Sequence, residues 1–287
     1  MKFNLKIFVL VGVLAGFRDV CGTEKNGENK DYGDFIVAGF EGNEELKAAM
    51  GGNRVIKAVY KTVDGGEVGL INRRFKNKLS SIFVWDGKVG KIVAVKELSI
   101  SFSNLYYNMK PGVEYTVYFI FDGDGVESTA NMFFVCSRLI RADFRYFNTS
   151  NVTDMSSMFY NCLALKELNL NNFTTTNVTD MSYMFAACIA LTKLNLSTFD
   201  TTNVKDMSYM FYNCTALKNL DLRNFYFSHA CKMKNVSQEC NFDKLYLSKK
   251  YEGIRERCCC CGYVYINDKK VASLNPNNVE FVEGVAG

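Results

Sequence analysis

A 26-residue period in the middle of the chain constrains its fold more than any other feature. Asn151-Val152-Thr153-Asp154-Met155 returns as Asn177-Val178-Thr179-Asp180-Met181 and again as Asn203-Val204-Lys205-Asp206-Met207. The same offset links Met158, Met184 and Met210, then Phe159, Phe185 and Phe211, then Cys162, Cys188 and Cys214. It continues through Leu168-x-Leu170, Leu194-x-Leu196 and Leu220-x-Leu222 to Phe173, Phe199 and Phe225. Decayed copies flank these three, with Met132-Phe133, Cys136, Leu139 and Phe144 before them and Met233, Cys240 and Leu245-x-Leu247 after them. No unit this short can bury its apolar residues alone, so neighbours must stack, and the end units are expected to be atypical.

Each unit has two halves of different periodicity. In the middle copy, Val178, Met181, Met184, Phe185 and Cys188 fall on one stripe about 120° wide at about 100° per residue. This spacing predicts an amphipathic helix of about three turns. Asn177 followed by Asp180 reads as its start, a variant of the capping box. The second half, Lys193-Leu194-Asn195-Leu196-Ser197, alternates as a half-buried strand does. The expected fold class is therefore α/β: a leucine-rich-repeat solenoid with a strand and a helix per repeat. A small mixed or β-rich N-terminal region would precede it.

The motif Asn-Val-Thr-Asp-Met-Ser-x-Met-Phe-x-x-Cys, followed by Ala-Leu-x-x-Leu-x-Leu-x-x-Phe-x-Thr, resembles the BspA-like leucine-rich-repeat surface proteins, whose repeat also occurs in mycoplasma surface lipoproteins. The resemblance covers about 126–248 and is specific within 148–225. It implies secretion or surface display, with adhesion or host-protein binding, and it supplies no catalytic residues. The chain departs from the family in carrying three full copies where many relatives carry long arrays. It also lacks a well-formed lipid-attachment motif: Arg18-Asp19-Val20 precede Cys21 where small apolar residues are wanted.

The remaining chain sets boundaries. Lys2 and Lys6 precede an apolar run, Ile7 to Phe17, too short to span a bilayer but suited to an export signal cut near Ala15. Residues 1–20 are read as that signal, 31–124 as the mixed or β-rich N-terminal region, 125–250 as the repeats and 251–287 as a cysteine-rich tail. Strand-like runs lie at Ser81 to Trp85, Ile92 to Val95 and Tyr115 to Phe121, with a helix over Asn43 to Met50. Gly262 to Ile266, then Asn267-Asp268, then Lys269 to Val271 reads as a hairpin. A net charge of +4 is too mild for a nucleic-acid partner.

Few residues suit catalysis. The chain has one histidine, His229, and Asp122-Gly123-Asp124-Gly125 lacks the later ligands of a calcium loop. Of 11 cysteines, Cys136, Cys162, Cys188, Cys214 and Cys240 share one repeat position. That even spacing is wrong for the paired ligands of a zinc module and suits a ladder of buried thiols. Cys258 to Cys261 are four in a row, and with Cys231 and Cys240 they leave disulfides or a metal open. No cofactor is expected.

Partner binding is expected on the outward strand positions. The first column is Arg141, Glu167, Lys193 and Asn219, the second Asp143, Asn169, Asn195 and Asp221, and the third Arg145, Asn171, Ser197 and Arg223. The alternative is a merely solvated face, stabilised in part by alternating charge along the first column. Tyr160 with Tyr212, and Tyr183 with Tyr209, recur on the other half, where packing between adjacent helices competes with recognition. The expected function is a secreted or cell-surface binding protein with a protein partner. An effector acting on host proteins and a ligand-free structural module are the alternatives.

Overall fold

The computed structural model describes residues 44–87, 90–93, 98–101, 103–123, 125–228, 230–240, 242–248, 263–266, 269–273 and 279–282. The stretch expected to be an export signal and Cys258 to Cys261 lie outside these residues.

The N-terminal part opens with helix α1 (Glu44–Gly51) and strand β1 (Arg54–Lys61). Strand β2 (Gly66–Asn72) and a short 3-10 helix (Arg73–Lys78) lead to β3 (Leu79–Trp85), β4 (Gly90–Val93) and β5 (Ser99–Ser101), then β6 (Asn104–Met109) and β7 (Glu114–Phe121). The repeats contribute β8 (Leu139–Phe147), β9 (Glu167–Asn169), β10 (Asn219–Leu222) and β11 (Lys244–Ser248). The tail adds β12 (Tyr263–Ile266), β13 (Lys269–Ser273) and β14 (Val279–Val282). The antiparallel β12–β13 pair is the hairpin expected from the tail sequence.

One six-stranded sheet runs β4-β3-β7-β1-β8-β9, and a second runs β2-β6-β5. Strand β7 is buried from Tyr115 to Phe121 without alternation because both its faces are covered. One face takes α1 through Leu46, Ala49 and Met50. The other shares a core with the small sheet, through Tyr60, Val117 and Phe119 on one side and Leu70, Ile71 and Leu105 on the other. The Tyr60 hydroxyl donates to the Leu70 carbonyl, so the buried phenol is satisfied. Strand β1 pairs antiparallel with β8, the strand of the first decayed unit, and β8 pairs parallel with β9. The N-terminal sheet and the repeat strands are therefore hydrogen-bonded to each other, and one apolar core runs from Ile56 to Leu247.

The expected α/β solenoid, with a helix in every repeat, is overturned. Among the described residues the only α-helix is α1, and the structure is predominantly β. The stretches expected to be helical are runs of tight turns. Backbone signs give the reason. Ser157 and Asn161 have φ of 54° and 60°, Tyr183 and Ala187 have 57° and 59°, and Tyr209 and Asn213 have 59° and 56°. A right-handed helix cannot pass through left-handed residues every fourth position. Lys193 to Ser197, expected as a strand, is not a regular strand either.

The backbone hydrogen bonds show what replaces the helix. Within a turn run, alternate N–H groups close local turns: Tyr160 N donates to Ser157 O at 3.1 Å and Cys162 N to Phe159 O at 3.2 Å. The intervening N–H groups donate to the next unit, 25 residues on. Met155 N reaches Asp180 O at 2.9 Å, Ser157 N reaches Ser182 O at 2.8 Å, Phe159 N reaches Met184 O at 2.9 Å and Asn161 N reaches Ala186 O at 2.8 Å. The same four bonds recur from Met181, Tyr183, Phe185 and Ala187, and again from Met207, Tyr209, Phe211 and Asn213. The backbone N–H groups of Met155 to Cys162 thus find partners without a helix.

Side chains extend the register. Phe133, Phe159, Phe185 and Phe211 stack at 5.7–5.8 Å. Thr149, Thr175 and Thr201 are buried and donate to Thr174 O, Asp200 O and Tyr226 O at 3.1, 2.9 and 3.2 Å. The expected capping box is absent. The Asn177 amide donates to Ser150 O at 2.8 Å, and Asp180 accepts from Ser182 N at 2.8 Å in a local turn.

Candidate functional site

The expected binding face is assembled in register, but much of it is committed to the fold. Arg141 lies opposite Glu167 on neighbouring strands, and Asp143 lies opposite Asn169. The alternating charges of the first column do not pair: Arg141 reaches Glu114 on β7 at 2.5 Å instead, and Lys193 and Asn219 stand exposed. The second column works on its own backbone. Asp143, Asn169, Asn195 and Asp221 each accept the N–H two residues on, from Arg145, Asn171, Ser197 and Arg223, at 3.0–3.2 Å. These are Asx turns, which is why Asp and Asn recur there. Arg145 and Arg223 bond back to Asp143 and Asp221 at 2.7 and 2.6 Å. Burial alone would raise the Asp221 carboxyl, but the hydrogen bonds and charge of Arg223 outweigh it and hold the carboxyl below its ordinary value. In the third column Asn195 donates to Asn171 at 3.2 Å, and Ser197 is exposed.

The turn runs carry a different surface. Phe134 and Tyr160 stack at 5.1 Å, Tyr160 meets Tyr183 edge-on at 6.1 Å, Tyr183 and Tyr209 stack at 4.6 Å, and Tyr212 meets Tyr209 edge-on at 5.8 Å. All five rings are half-buried and together span four units. The ladder changes column where the repeat places Ala186 in line with Tyr160 and Tyr212. The Tyr183 and Tyr209 rings occupy the step. Lys234 lies 5.9 Å from the Tyr209 ring, and the Tyr212 hydroxyl donates to Glu239 at 3.0 Å, which holds its proton and raises its pKa. Leu163 and Ile189, one repeat apart beyond the turns, stand 38% and 40% exposed beside Val135 at 37%. Helix packing, the competing sequence expectation for these tyrosines, has no helices to act between.

The thiol column faces inward, and hydrogen bonding with Cys214 lowers the pKa of Cys240 at its end. Cys162, Cys188 and Cys214 donate to the carbonyls of Phe133, Phe159 and Phe185 in the preceding unit at 3.1–3.2 Å. They are free and fully buried. Burial pushes Cys188 up to about 12 and raises Cys162 as well, so neither is a thiolate at neutral pH. Among the described residues no three His, Cys, Asp or Glu side chains converge as a metal cage requires.

A polar groove of about 380 Å³ lies where the turn after α1 approaches the ends of the first repeat strands. Asn53, Asn148, Asn171, Asn172, Thr174 and Thr198 line it above the buried rings of Phe147 and Phe173. The sequence reading reached Asn171 alone. Asn53 is distant in sequence, and the pairing of Arg54 with Phe147, continued by the bond from Asn148 N to Asn53 O at 2.9 Å, brings it in.

Residues 127–249 match a family described as a Mycoplasma protein of unknown function, DUF285. The chain is similar to that family over the repeats, and the description assigns it no activity. Neither the curated proteins nor the solved structures give a match.

Proposed function

We propose that this chain is a secreted or cell-surface protein that binds a partner protein, in adhesion or contact with host proteins, and that it binds rather than catalyses. The observation that carries this reading is the half-exposed aromatic ladder from Phe134 to Tyr212. Tyrosine presents a rigid apolar body with a polar tip, the side chain that interfaces concentrate at their centres. The neighbouring Leu163 and Ile189 enlarge the apolar area without a fold requirement that would place them outside. The polar strand face contributes less, because its Asp and Asn column is occupied by Asx turns and its two arginines by carboxylates. Lys193, Asn219 and Ser197 remain as its exposed rim. The similarity of residues 127–249 to a mycoplasma family is compatible with display outside the cell. No helix among the described residues is long and apolar enough to cross a membrane.

Two measurements on the full chain test this reading. In native cells, protease shaving with N-terminal mass spectrometry should find an accessible protein that begins after Ala15. An intact Met1 inside the cell would remove the surface assignment. Binding to immobilised extracellular-matrix protein should weaken at least tenfold in the double variant Tyr183→Asn, Tyr209→Asn. Asparagine keeps the left-handed backbone of both positions. Unchanged binding would exclude the ladder as the contact.

A further inference from the structure

The asparagine ladder along the strand ends is broken at one step, and the break coincides with the groove. Asn172 donates its amide back to the Arg145 carbonyl, and Asn224 donates to the Ser197 carbonyl at 2.7 Å. The residue between them in the repeat is Thr198, which is too short to make the equivalent bond. The Asn171 carbonyl therefore receives no such donor and opens onto the groove.

The lining is uncharged and rich in uncommitted hydrogen-bonding groups. Asn53, in a left-handed turn with φ 51°, makes no side-chain hydrogen bond among the described residues. Asn172 uses only its amide nitrogen and Asn171 accepts on its amide oxygen, so an acceptor and a donor remain. The Thr174 and Thr198 hydroxyls line it without a partner among the described residues. Donors and acceptors are thus mixed within one groove of about 380 Å³, inside the range of small-ligand sites. Among the described residues no Lys or Arg lines it to hold a phosphate or carboxylate, and no Asp or Glu lines it to hold a cation. The complementary ligand is a neutral molecule carrying donors and acceptors on every side.

We infer that this groove binds neutral glycan, taking hydroxyl groups of one or two sugar residues on Asn53, Asn171, Asn172, Thr174 and Thr198. The inference rests on the reading of the chain as a displayed binding protein and names a ligand class for it. The groove shares no residue with the aromatic ladder, so the two can fail separately. Mannotriose, chitotriose and lactose are the probes, followed by saturation-transfer NMR on the full chain, with sialyllactose as the charged control. At least one neutral probe should give transfer, and sialyllactose should bind no better than lactose. Thr198→Asn restores the missing ladder bond and occupies the open carbonyl. Thr198→Arg fills the groove from an exposed position. Each should weaken the bound probe at least tenfold without lowering the melting temperature. Absence of transfer from all three neutral probes at millimolar concentration would overturn the proposal, as would equal binding by Thr198→Arg. If matrix-protein binding persists in Thr198→Arg while glycan binding is lost, the groove and the ladder are independent sites. If neither variant affects glycan binding, the groove fails and the ladder reading stands on its own test.

Discussion

The N-terminal sheets and the repeats bury similar apolar side chains but hold them by opposite logics. In the N-terminal part, strands far apart in sequence are neighbours: β1 lies between β7 and β8, and β3 lies between β4 and β7. Removing one strand there strands its partners on both sides. In the repeats between β8 and β11, a residue's backbone hydrogen-bonding partners lie within three residues or one unit away. The first design is cooperative through long-range pairing, and the second approximates a chain of nearest-neighbour contacts. The comparison teaches that a single continuous core can contain two different units of failure.

Deletions should separate the two most strongly. Removing residues 177–202 joins Thr176 to Asn203 in register and should leave a folded, less stable protein with one unit fewer. Removing 190–202 shifts every later residue by half a period and should leave no folded repeats, as read by circular dichroism and hydrogen exchange. If both deletions fold equally well, the repeats are not in nearest-neighbour register.

Point charges come next. Met184→Asp puts a carboxylate at a position with no solvent exposure and should cost several kcal/mol. Hydrogen exchange should show lost protection concentrated in the units around Met184. Phe119→Asp, equally buried, should instead abolish protection across the whole N-terminal part. A uniform loss in both variants would erase the distinction drawn above.

The thiol column gives the repeats their own alkaline response. The Cys188 thiol stays protonated in the fold up to about 12, whereas its ordinary value is 9.0. The unfolded chain therefore releases protons first as pH rises. The stability Cys188 contributes is complete below pH 9 and is lost progressively toward pH 12, at up to about 1.4 kcal/mol per pH unit. Cys188→Ala should cost about 1–3 kcal/mol at pH 7, from the lost bond to Phe159 O and the space left behind. It should also flatten the alkaline slope in denaturant titrations. An unchanged slope would mean that the thiol titrates in the native state.

The smallest effect is a gain. Val135 is β-branched, 37% exposed and held at φ 57°, where Asn161 stands in the next unit and Asn213 two units beyond that. Val135→Asn should relieve strain of about 1 kcal/mol and raise the melting temperature by a few degrees. A fall would show that the exposed valine packs more than its accessibility implies.

The period, the stacking partners and the inward residues were legible because Met, Phe, Cys and Leu recur at fixed offsets and burial follows composition. The helix was not. Turn runs that alternate local and inter-unit bonds bury Met181, Met184, Phe185 and Cys188 on one side, as a helix would, so spacing cannot tell them apart. The deciding fact is a left-handed backbone at Ser157, Tyr183 and Tyr209, and none of these is glycine. In the second strand column, the Asp and Asn side chains also accept backbone N–H groups two residues on, which alternation alone does not reveal. The groove was invisible because it needs Asn53 from outside the repeats. The one available hint was Thr198, where the pattern wants asparagine.

The alternate N–H bonds that point along the stack have a mechanical consequence. They lie nearly parallel to the direction in which one unit follows another, so a pull along that direction loads one unit's bonds at a time. Each unit released would lengthen the chain by about 90 Å, from 26 residues at about 3.4 Å each. The laterally paired N-terminal strands, pulled at their ends, would share the load across many bonds in shear. Under tension the repeats would yield in steps while the N-terminal sheets hold, so the chain would lengthen before its N-terminal part gave way.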